Sequence, residues 1–390
     1  MRFMCFEWRA FSQDDLEAAL ESFGIDIDTF SYQFTGIHED EYLERNLKKV
    51  LKQKDYDAVI SWNFWPIVSE VCYQLSIPYI SWVYDCPISY PVIPWIMYDT
   101  NQVFMFDSEE YKNAGVKNLY HHALAVNTER IDAISLSAED KKRYTSDVSF
   151  LGSMYDSDYD RISAVFPEYE RGYLESAVTV EREFQGIDLF GEIYTKDHLK
   201  NLKTRLENEG IISVASQEMF DDWLRELWGK EVTRRDRISF LTELGNICDT
   251  RYYSYKDYPE IYSARSCGVL NYKDQMFKMF KASKINLNIT YRLITKGIPL
   301  RVLDIMAAGG FVLTNMQEEI VESFVLGEEL VCYQSKDEIT DLVKYYLEND
   351  TERKKIAEKG HEAVKRFDYV SMLGSILETV FPGRLRTASP

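Results

Sequence analysis

Two hydrophobic periods alternate along this 390-residue chain, and this alternation constrains the fold more than any other feature. Apolar runs of strand length, such as Met1–Glu7, Asp57–Trp62 and Val148–Leu151, alternate with segments whose apolar residues recur every three or four positions. Strands that alternate with helices indicate βαβ units and a parallel sheet. A polar segment over 128–147 interrupts the pattern, which then returns. The sequence therefore predicts an α/β protein with two successive Rossmann-like domains.

The interruption of the pattern sets the predicted domain boundaries. We predict a Rossmann-like domain over 1–140, a second over 141–366 that carries helical additions, and a C-terminal helix over 367–390 that returns to the first domain. Ligands of open parallel sheets bind beyond the carboxyl ends of the strands, and domain interfaces favour pockets. We therefore expect the functional residues just after strands, facing a cleft between the two domains.

Charge and cysteine content exclude several classes of protein. The chain carries 64 acidic and 45 basic residues, a formal net charge of -19, which argues against a nucleic-acid binder. No run approaches the roughly 18 unbroken apolar residues of a transmembrane segment. The N-terminus lacks the features of a signal peptide, which disfavours a periplasmic binding protein. The six cysteines are scattered without a CxxC pair, as is typical of reduced thiols, so we expect a cytoplasmic protein.

Sequence motifs for dinucleotide binding, nucleoside-triphosphate binding and zinc-dependent hydrolysis are absent, and the five histidines have no metal-ligand spacing. The triplet Asp156-Ser-Asp158 has the DxD form with which some sugar transferases hold a metal–diphosphate. Such triplets arise often by chance in an acidic chain, and this one lies where a helix N-cap is expected. We therefore expect no metal site and no bound cofactor.

One short segment reverses the acidic character of the chain. Residues 278–304 contain six lysines and arginines and a single acid, Asp304, which indicates an anionic ligand. A solvated helix face accounts for the first two lysines. Asn288 and Thr290 then lie on the polar face of a predicted strand over 285–290, where hydrogen bonds to neighbouring loops and ligand contacts are equally open interpretations.

A helix that begins near Pro299 is the predicted phosphate site of this segment. Proline suits the first helical position, and the free N–H groups there, from Leu300 onward, favour phosphate. Arg301 can add a bidentate contact, while Asp304, one turn later, can accept hydrogen bonds from two ribose hydroxyls. The alternative is a plain Arg301–Asp304 pair on the helix surface, worth on the order of a few tenths of a kcal/mol.

The segment that contains this helix also carries a resemblance to a known family. The stretch NLNITYRLITKGIPLRVLDIMAAGGFVLTN, with EEIVESF, YYLEND, ERKKIAEKG and FDYVSML after it, resembles the C-terminal domain of the spore-maturation (CgeB-like) glycosyltransferases. PYISWVYDCP, VFMFD and YHHALAVN resemble their companion N-terminal domain. That family is similar to the GT-B superfamily, which joins two Rossmann-like domains that face each other across a nucleotide-sugar cleft. The resemblance covers nearly the whole chain and implies a glycosyltransferase of the hexosyltransferase class.

The resemblance implies a metal-independent transfer from a nucleoside-diphosphate sugar, with a UDP-sugar favoured, to an acceptor hydroxyl on a protein or a cell-surface glycan. Asp304 stands where many such enzymes have the Glu that binds the donor ribose. Lys296 stands where an earlier Glu is common, which leaves retention or inversion of the sugar open. The expected donor-binding residues are Gly152, Ser153, Tyr252, Tyr253, Asn288, Thr290, Arg292, Pro299, Leu300, Arg301 and Asp304. For the two tyrosines, packing is an equally open interpretation.

An inverting transfer needs a base that deprotonates the acceptor hydroxyl, and in this architecture the base follows a strand of the N-terminal domain. Asp85, which ends a strong strand before Pro87, is the first candidate, and Asp107 is the second. The alternative is that Asp85 only caps its turn. The residues expected on the acceptor side end other strands and are Glu7, Trp8, Asn63 and Trp65.

Two further functions stay open on sequence grounds. A GT-B-like sugar-nucleotide epimerase shares the fold and the phosphate helix, but it needs paired carboxylates or a histidine at the sugar. A non-catalytic sugar-nucleotide-binding protein on a decayed fold is the other alternative, against which the intact basic segment and Asp304 argue. The identity of the base, the sugar and the acceptor does not follow from the sequence.

Overall fold

The structure is a computed structural model that describes residues 1–8, 10–33, 40–88, 92–110, 115–184, 189–214 and 216–385. The strands in these residues are β1 (Arg2–Glu7), β2 (Asp26–Ser31), β3 (Ala58–Trp62), β4 (Tyr79–Val83), β5 (Asn101–Met105), β6 (Leu119–His121), β7 (Val148–Leu151), β8 (Thr250–Tyr253), β9 (Arg265–Ser266), β10 (Ile285–Asn288), β11 (Val312–Asn315) and β12 (Val331–Tyr333).

The α-helices lie between and after these strands. They are α1 (Gln13–Ser22), α2 (Glu41–Leu51), α3 (Pro66–Leu75), α4 (Thr128–Asp132), α5 (Ala138–Tyr144), α6 (Tyr159–Ser163), α7 (Glu168–Glu183), α8 (Phe190–Ile193), α9 (Lys196–Asn208), α10 (Gln217–Gly245), α11 (Gln275–Ala282), α12 (Leu300–Ala307), α13 (Glu318–Ser323), α14 (Lys336–Glu348), α15 (Asp350–Val364) and α16 (Tyr369–Val380). Short 3₁₀ helices cover Trp95–Met97 and Lys365–Phe367. In the described ranges, none of these helices has the length and apolarity needed to cross a bilayer.

The strands form two six-stranded sheets. Their strand orders are β2-β1-β3-β4-β5-β6 and β12-β11-β10-β7-β8-β9, and each described pair of neighbours is parallel. Strands β3, β4, β10 and β11 are buried along their whole length. Helices cover both faces of a parallel sheet, which is why such strands are near-continuous apolar runs. The predicted α/β class with two parallel sheets is confirmed.

The chain divides into two compact units. Unit 1 comprises residues 1–129 and 364–390, and unit 2 comprises residues 130–363. Residues 130–140, assigned to the first domain from the sequence, thus lie in unit 2. The Lys281 ammonium on α11 explains this placement, because it donates to the carbonyls of Ile131 and Ile134, at 2.8 Å each.

Unit 1 packs its helices around the first sheet. Its core joins β1, β3 and β4 to α2 and α3 through Phe6, Leu47 and Val68, which are all fully buried. The C-terminal α16 packs against α1 and places the Tyr369 ring edge-on to Trp62, with ring centroids 6.2 Å apart. The last helix therefore completes a core that the first residues of the chain begin.

Unit 2 contains two separate apolar cores. One joins the second sheet to α14 and the C-terminal half of α10, and the other lies among α6–α9 and the N-terminal half of α10. The helical additions predicted for the second domain thus form an insertion with its own core. The 29-residue helix α10 passes through both cores and is the element that joins the insertion to the sheet.

Local signals predicted most element ends within two or three residues, with informative exceptions. The capping box at Ser137 and Asp140 forms in full at the start of α5. The spacing of Ser335 and Glu338 also favours a capping box at the start of α14, but the box does not form. Ser335 makes no side-chain cap, and the Glu338 carboxylate accepts from the Gln334 amide. The pattern of residues 109–114 also predicts a short helix, of which residues 111–114 lie outside the described part of the chain.

Candidate functional site

The carboxyl end of β10 leads into the predicted donor segment. The Asn288 side-chain amide donates to the Thr290 and Thr314 hydroxyls, at 3.0 and 2.9 Å. The Thr290 amide in turn donates to the Asn315 side-chain oxygen at 2.9 Å. β10 ends at Asn288, two residues earlier than predicted, since this loop-to-strand bonding replaces the ladder. Asn288 and Thr290 are thus hydrogen-bonded to the end of the neighbouring strand β11, and their contact with a ligand stays a prediction.

Helix α12 begins, as predicted, directly after Pro299, whose backbone is extended. The first N–H groups of a helix have no partner within it, so they can bind an anion beside Leu300 and Arg301. The fully apolar residues after them, Val302 and Leu303, are buried. The helix is thereby anchored with its positive end at the carboxyl side of the second sheet.

Two side chains contact the Asp304 carboxylate, which belongs to the predicted donor site. Its side chain is only 1% exposed, and its Oδ1 accepts a hydrogen bond from the Tyr272 hydroxyl at 3.0 Å. Its Oδ2 lies 3.3 Å from an Arg301 guanidinium nitrogen. The Arg301–Asp304 pair therefore exists, but it is not a surface pair, because the carboxylate is buried. Tyr272, which the sequence did not single out, fixes the orientation of this carboxylate.

Most of the basic segment is neutralised within unit 2. Lys284 and Lys296 pair with Asp147 and Glu318, at 2.7 and 2.9 Å, and Lys278 lies 3.3 Å from Asp140. The remaining cations of the segment engage the Ile131 and Ile134 carbonyls, Asp236 and Asp304. The local reversal of charge therefore indicates ion pairs across the fold more than a single anion site.

Arg292, one of the predicted donor residues, lies in a buried ion cluster. Its guanidinium lies 3.1 Å from the Asp236 carboxylate, donates to the Phe184 carbonyl, and is 5% exposed. Arg182 binds the other oxygen of Asp236 at 2.7 Å. Arg292 thus belongs to a buried ion cluster between the β10 loop and the helical insertion. These contacts come from distant parts of the chain, so spacing alone could not reveal them, and the donor role of Arg292 stays a prediction.

Arg237, which is not among the predicted site residues, binds the loop after β7. Arg237, on α10, donates to the carbonyls of Ser153 and Ile289, the second at 3.2 Å from Nε. It lies on the apolar stripe of α10 with Phe240, Leu241 and Leu244, and a charge within an apolar stripe was the signal available in the sequence. Gly152 and Ser153 do lie at the carboxyl end of a central strand, as predicted.

The two tyrosines at the end of β8 face opposite sides of the sheet. Tyr252 lies in the core, and its hydroxyl accepts from the Tyr258 amide at 3.0 Å, so the structure supports packing for this residue. Tyr253 is also buried and lines, with Tyr144 and Arg251, a groove of about 860 Å³. Strand alternation therefore separates a pair that the sequence placed together at the donor base.

The DxD triplet is occupied by neighbouring side chains. Asp156 pairs with Lys256 at 2.8 Å and accepts from the Tyr258 hydroxyl at 3.2 Å, while Asp158 pairs with Arg161 at 3.0 Å. Asp158 stands at the N-cap of α6, where it was expected, although its side chain does not cap the helix. Among the residues that the structure describes, no group of three or more His, Cys, Asp and Glu side chains could hold a metal ion.

In unit 1, Asp85 follows β4 and is fixed by one neighbour. The Asn63 amide nitrogen donates to the Asp85 carboxylate at 2.6 Å, and the Asn63 oxygen accepts from the Tyr84 and Asp85 amides, at 3.0 and 3.2 Å. Asp85 keeps access to solvent, yet the protein around its carboxylate removes part of its hydration and raises its pKa. The hydrogen bond from Asn63 opposes that increase.

Asp107, the second candidate base, has a different environment. It is 2% exposed, and its carboxylate accepts from the Glu109 amide at 3.0 Å in the turn after β5. Asp107 is therefore less accessible than Asp85, which favours Asp85 as the base. The role of Asp107 as second candidate stays a prediction.

The residues predicted on the acceptor side follow adjacent strands of the first sheet. Trp8 and Trp65 both donate their indole N–H to the Trp62 carbonyl, at 3.0 and 2.9 Å, and their rings lie edge to face at 5.0 Å. Trp8 also stacks on Tyr84 at 6.1 Å. Glu7 accepts a hydrogen bond from the Ser31 hydroxyl. These strands thus place an aromatic platform beside Asn63 and Asp85.

Comparison with known proteins gives one family match and several structural matches. Residues 222–378 match a family model described as glycosyl transferase-like. Sucrose-phosphate synthase from Thermosynechococcus elongatus is 8% identical, with 98% of this chain and 99% of that chain covered and a TM-score of 0.57. HepE of Anabaena, solved in complex with UDP and glucose, is 10% identical, with 97% and 99% covered and a TM-score of 0.53.

A third solved structure, AviGT4, is a glycosyltransferase involved in avilamycin A biosynthesis. It is 13% identical, with 97% of this chain and 96% of that chain covered and a TM-score of 0.50. Identities this low establish a similarity of fold and not of substrate. No curated protein sequence matches the chain.

Proposed function

We propose that this chain, a glycosyltransferase of the GT-B superfamily, transfers a sugar from a UDP-sugar to an acceptor hydroxyl without a divalent metal. The chain has two parallel six-stranded sheets that match GT-B enzymes, and its residues 222–378 match a glycosyl transferase-like family model. These matches support the predicted glycosyltransferase class. The donor, the acceptor and the independence from metal are the proposal.

The buried carboxylate of Asp304 is the observation that carries the proposal. Tyr272 and Arg301 hold it on the second turn of α12, whose N-terminus lies beyond the carboxyl end of β10. A carboxylate one turn after an exposed helix start suits a nucleotide, because it accepts hydrogen bonds from ribose hydroxyls while the N–H groups bind phosphate. Arg301, whose side chain is 27% exposed, stays accessible to that phosphate.

The choice of uridine rests on structural relatives. HepE of Anabaena has been solved with UDP and glucose and with UDP-glucose, at TM-scores of 0.53 and 0.52 to this chain. A UDP-sugar is therefore the first donor to test, with GDP-sugars as the alternative.

Without a metal, the protein itself must stabilise the charge that develops on the leaving diphosphate. Arg301 and the N-terminus of α12 supply positive charge at one place. Asp156 and Asp158, the alternative metal ligands, are paired with Lys256 and Arg161. These contacts support a donor site that uses arginine and helix charge in place of a cation.

Asp85 is the proposed base of an inverting transfer. A carboxylate with an increased pKa accepts the proton of a hydroxyl more readily than an ordinary one, and Asn63 holds it in one orientation. The aromatic platform of Trp8 and Tyr84 beside it is suited to the apolar face of a sugar ring. If configuration is retained, Asp85 orients the acceptor only.

The decisive experiment is incubation of the protein with UDP- and GDP-sugars, with and without EDTA. Release of nucleoside diphosphate, unchanged by EDTA, is the expected result. A nucleotide sugar of altered configuration would identify the epimerase instead, and tight binding without turnover would identify a non-catalytic binder. Loss of activity with EDTA would indicate a metal-dependent transfer, with Asp156 and Asp158 as the candidate metal ligands.

Asp304→Asn tests the ribose contact within the same assay. We expect UDP to bind about 10- to 100-fold more weakly, since a hydrogen bond to a charged group is lost, and 2′-deoxy-UDP to lose much less. Asp337→Asn, an exposed carboxylate at the start of α14, is the matched control and should bind both nucleotides normally. Equal losses for the two nucleotides would assign Asp304 a structural role.

We further propose that the chain belongs with the CgeB-like enzymes and acts in the cytoplasm on a protein or a cell-surface glycan. The motifs of residues 286–315 support the first part, and six free cysteines are consistent with a reducing compartment. Assays that supply a UDP-sugar with either a protein acceptor or an oligosaccharide acceptor would separate the two acceptor classes.

A further inference from the structure

Arg237 ties together the ends of two central strands of unit 2. Its Nη1 donates to the carbonyl of Ser153, which follows β7, and its Nε and Nη2 donate to the carbonyl of Ile289, which follows β10. β7 and β10 are neighbours in the sheet. One side chain therefore sets the spacing of the two loops at the end of the sheet where nucleotides bind.

The charge of Arg237 has no compensating carboxylate in the described part of the chain. Its guanidinium lies over the rings of Tyr155 and Phe150, at 4.8 and 5.2 Å, and the residue is 7% exposed. The other buried cations of unit 2 differ, since Arg292 pairs with Asp236 and Arg353 pairs with Asp350. Burying an unpaired charge is costly, so this arrangement needs a functional reason.

The loop after β7 leaves room for this guanidinium by means of a glycine. A Cβ built on Gly152 would lie 3.3 Å from Arg237 Nη1 and 3.0 Å from the Phe150 ring. The Gly152 backbone does not have a positive φ, so the absence of a side chain serves close approach and not an unusual conformation. The small residue and the arginine are therefore two parts of one arrangement.

Not all the N–H groups of Arg237 are used by the two carbonyls. Three of the five donate to them, and the guanidinium also interacts with the Tyr155 side chain. Nη1 and Nη2 each carry one further N–H group. That pair matches two oxygens of one phosphate. Burial lowers the pKa of the Arg237 guanidinium, and the positive charge of Arg301 acts in the same direction. An anion at this point would relieve both effects.

We propose that Arg237 positions and completes the diphosphate part of the donor site. It holds the β7 and β10 loops in register, and its charge is neutralised only when the diphosphate of the nucleotide sugar is bound. The inference rests on the proposed function and assigns the phosphate contact to a residue outside the basic segment of 278–304. Arg301 and the start of α12 then act beside Arg237 as a second source of positive charge.

A comparison of UDP with uridine tests this role, because the two ligands differ only in the diphosphate. Calorimetric titration of Arg237→Met should show UDP binding about 10- to 100-fold more weakly than in the wild type, with uridine binding almost unchanged. Arg237→Lys keeps the charge but not the paired N–H groups. Its UDP affinity should therefore lie between those of the wild type and Arg237→Met. An unchanged ratio of the UDP and uridine affinities in both variants would overturn the proposal.

Arg182→Met is the matched control. Arg182 is also an arginine of unit 2, but its charge is neutralised by Asp236 at 2.7 Å. This variant should lose stability while keeping the wild-type ratio of the UDP and uridine affinities. A loss of UDP affinity as large as that of Arg237→Met would show a general effect of instability and contradict the proposal.

Hydrogen exchange on the wild-type protein gives a test that does not depend on the folding of a variant. UDP should protect the amides of 152–155 and 289–290 more than uridine does, and equal protection would count against the role of Arg237. If the wild type binds neither UDP nor GDP, the proposed function itself fails. If it binds UDP but the variants keep the wild-type ratio, only the present inference fails.

Discussion

At the scale of single residues, Asn63 shows how one side chain can prepare a carboxylate for chemistry. Its backbone has a φ of 57°, a left-handed conformation that asparagine tolerates better than most residues. In this conformation the side-chain oxygen of Asn63 accepts from the Tyr84 and Asp85 amides, while its side-chain nitrogen donates to the Asp85 carboxylate. The direction of the Asp85 side chain is thus set by a residue from the neighbouring strand end.

Asn63→Ala should move the acid limb of the pH profile to higher pH. Asp85 must be ionised to act as a base, and its pKa is already raised by the surrounding protein. The hydrogen bond from Asn63 stabilises the charged form, so its removal raises the pKa further. The pH dependence of kcat/KM measures this shift, with a decrease in kcat from the loss of orientation.

Asn46→Ala is the control for this experiment. Its side chain bonds only to the carbonyl of Tyr42 on the surface of α2. It should leave the pH profile unchanged. An acid limb that stays in place in Asn63→Ala would remove Asp85 from the role of base.

At the scale of elements, a buried ion cluster holds the helical insertion to the sheet of unit 2. Asp236, on α10, receives Arg182 from α7 at 2.7 Å and Arg292 from the loop after β10 at 3.1 Å. Glu181 lies 3.9 Å from Arg292 and is also fully buried. Three elements thus meet at one carboxylate, which makes Asp236 the most sensitive position of this junction.

Asp236→Ala should destabilise the protein by about 3–5 kcal/mol, because two guanidinium groups lose their buried partner. The free energy of unfolding in urea is the measurement. Glu243→Ala, on the same helix, removes a surface pair with Lys336 and should cost only about 0–1 kcal/mol. Similar values for the two variants would show that the cluster does not stabilise the junction.

Two glycines of unit 2 should respond to alanine in opposite directions. A Cβ on Gly310, after α12, would lie 2.6 Å from the Asn286 amide nitrogen and 3.0 Å from an Ile305 methyl. Overpacking of this kind costs about 1–3 kcal/mol. Gly172, within α7, has nothing within 4 Å of its position for Cβ, and alanine there should stabilise the helix by about 0.5–1 kcal/mol. Thermal unfolding of both variants measures these effects. A Gly310→Ala variant that is not destabilised, or a Gly172→Ala variant that is not stabilised, would contradict the prediction.

At the scale of the whole molecule, two units with separate cores share one continuous chain. Unit 1 is built from both ends of the sequence, since α16 packs on α1 and buries Leu373 and Ile376 completely. Unit 2 is continuous from residue 130 to 363. A substitution that disrupts the core formed by α16 should therefore destabilise residues 1–129 and not residues 130–363.

Leu373→Ala tests this arrangement, because both the loss of stability and the part of the chain that loses protection from hydrogen exchange can be measured. The loss of a fully buried leucine should cost about 2–5 kcal/mol, and hydrogen exchange should rise in residues 1–129 while 130–363 keep their protection. Val370→Ala, on the same helix but 43% exposed, is the control and should change little. Faster exchange in unit 2 would show that its stability depends on that of unit 1.

Local patterns in the sequence were enough to predict the fold class and the order of the elements. Helical and strand periods, proline at the start of α3 and the capping box of α5 are local signals, because each depends on neighbours within a few residues. The same kind of signal placed Asp304 one turn into a helix that begins at Pro299. These features follow from the backbone and from side-chain spacing, so a single chain is enough to predict them.

Which charged residues have a partner depends on how distant parts of the chain pack. The sequence predicted Arg292 and not Arg237 as a donor residue, yet Asp236 neutralises Arg292, while Arg237 keeps its charge between two carbonyls. In the same way, Asp85 keeps access to solvent, whereas Asp107 is buried in its turn. The partner of a charge lies tens of residues away in the sequence. Its proximity depends on how the elements pack, and no local pattern records that.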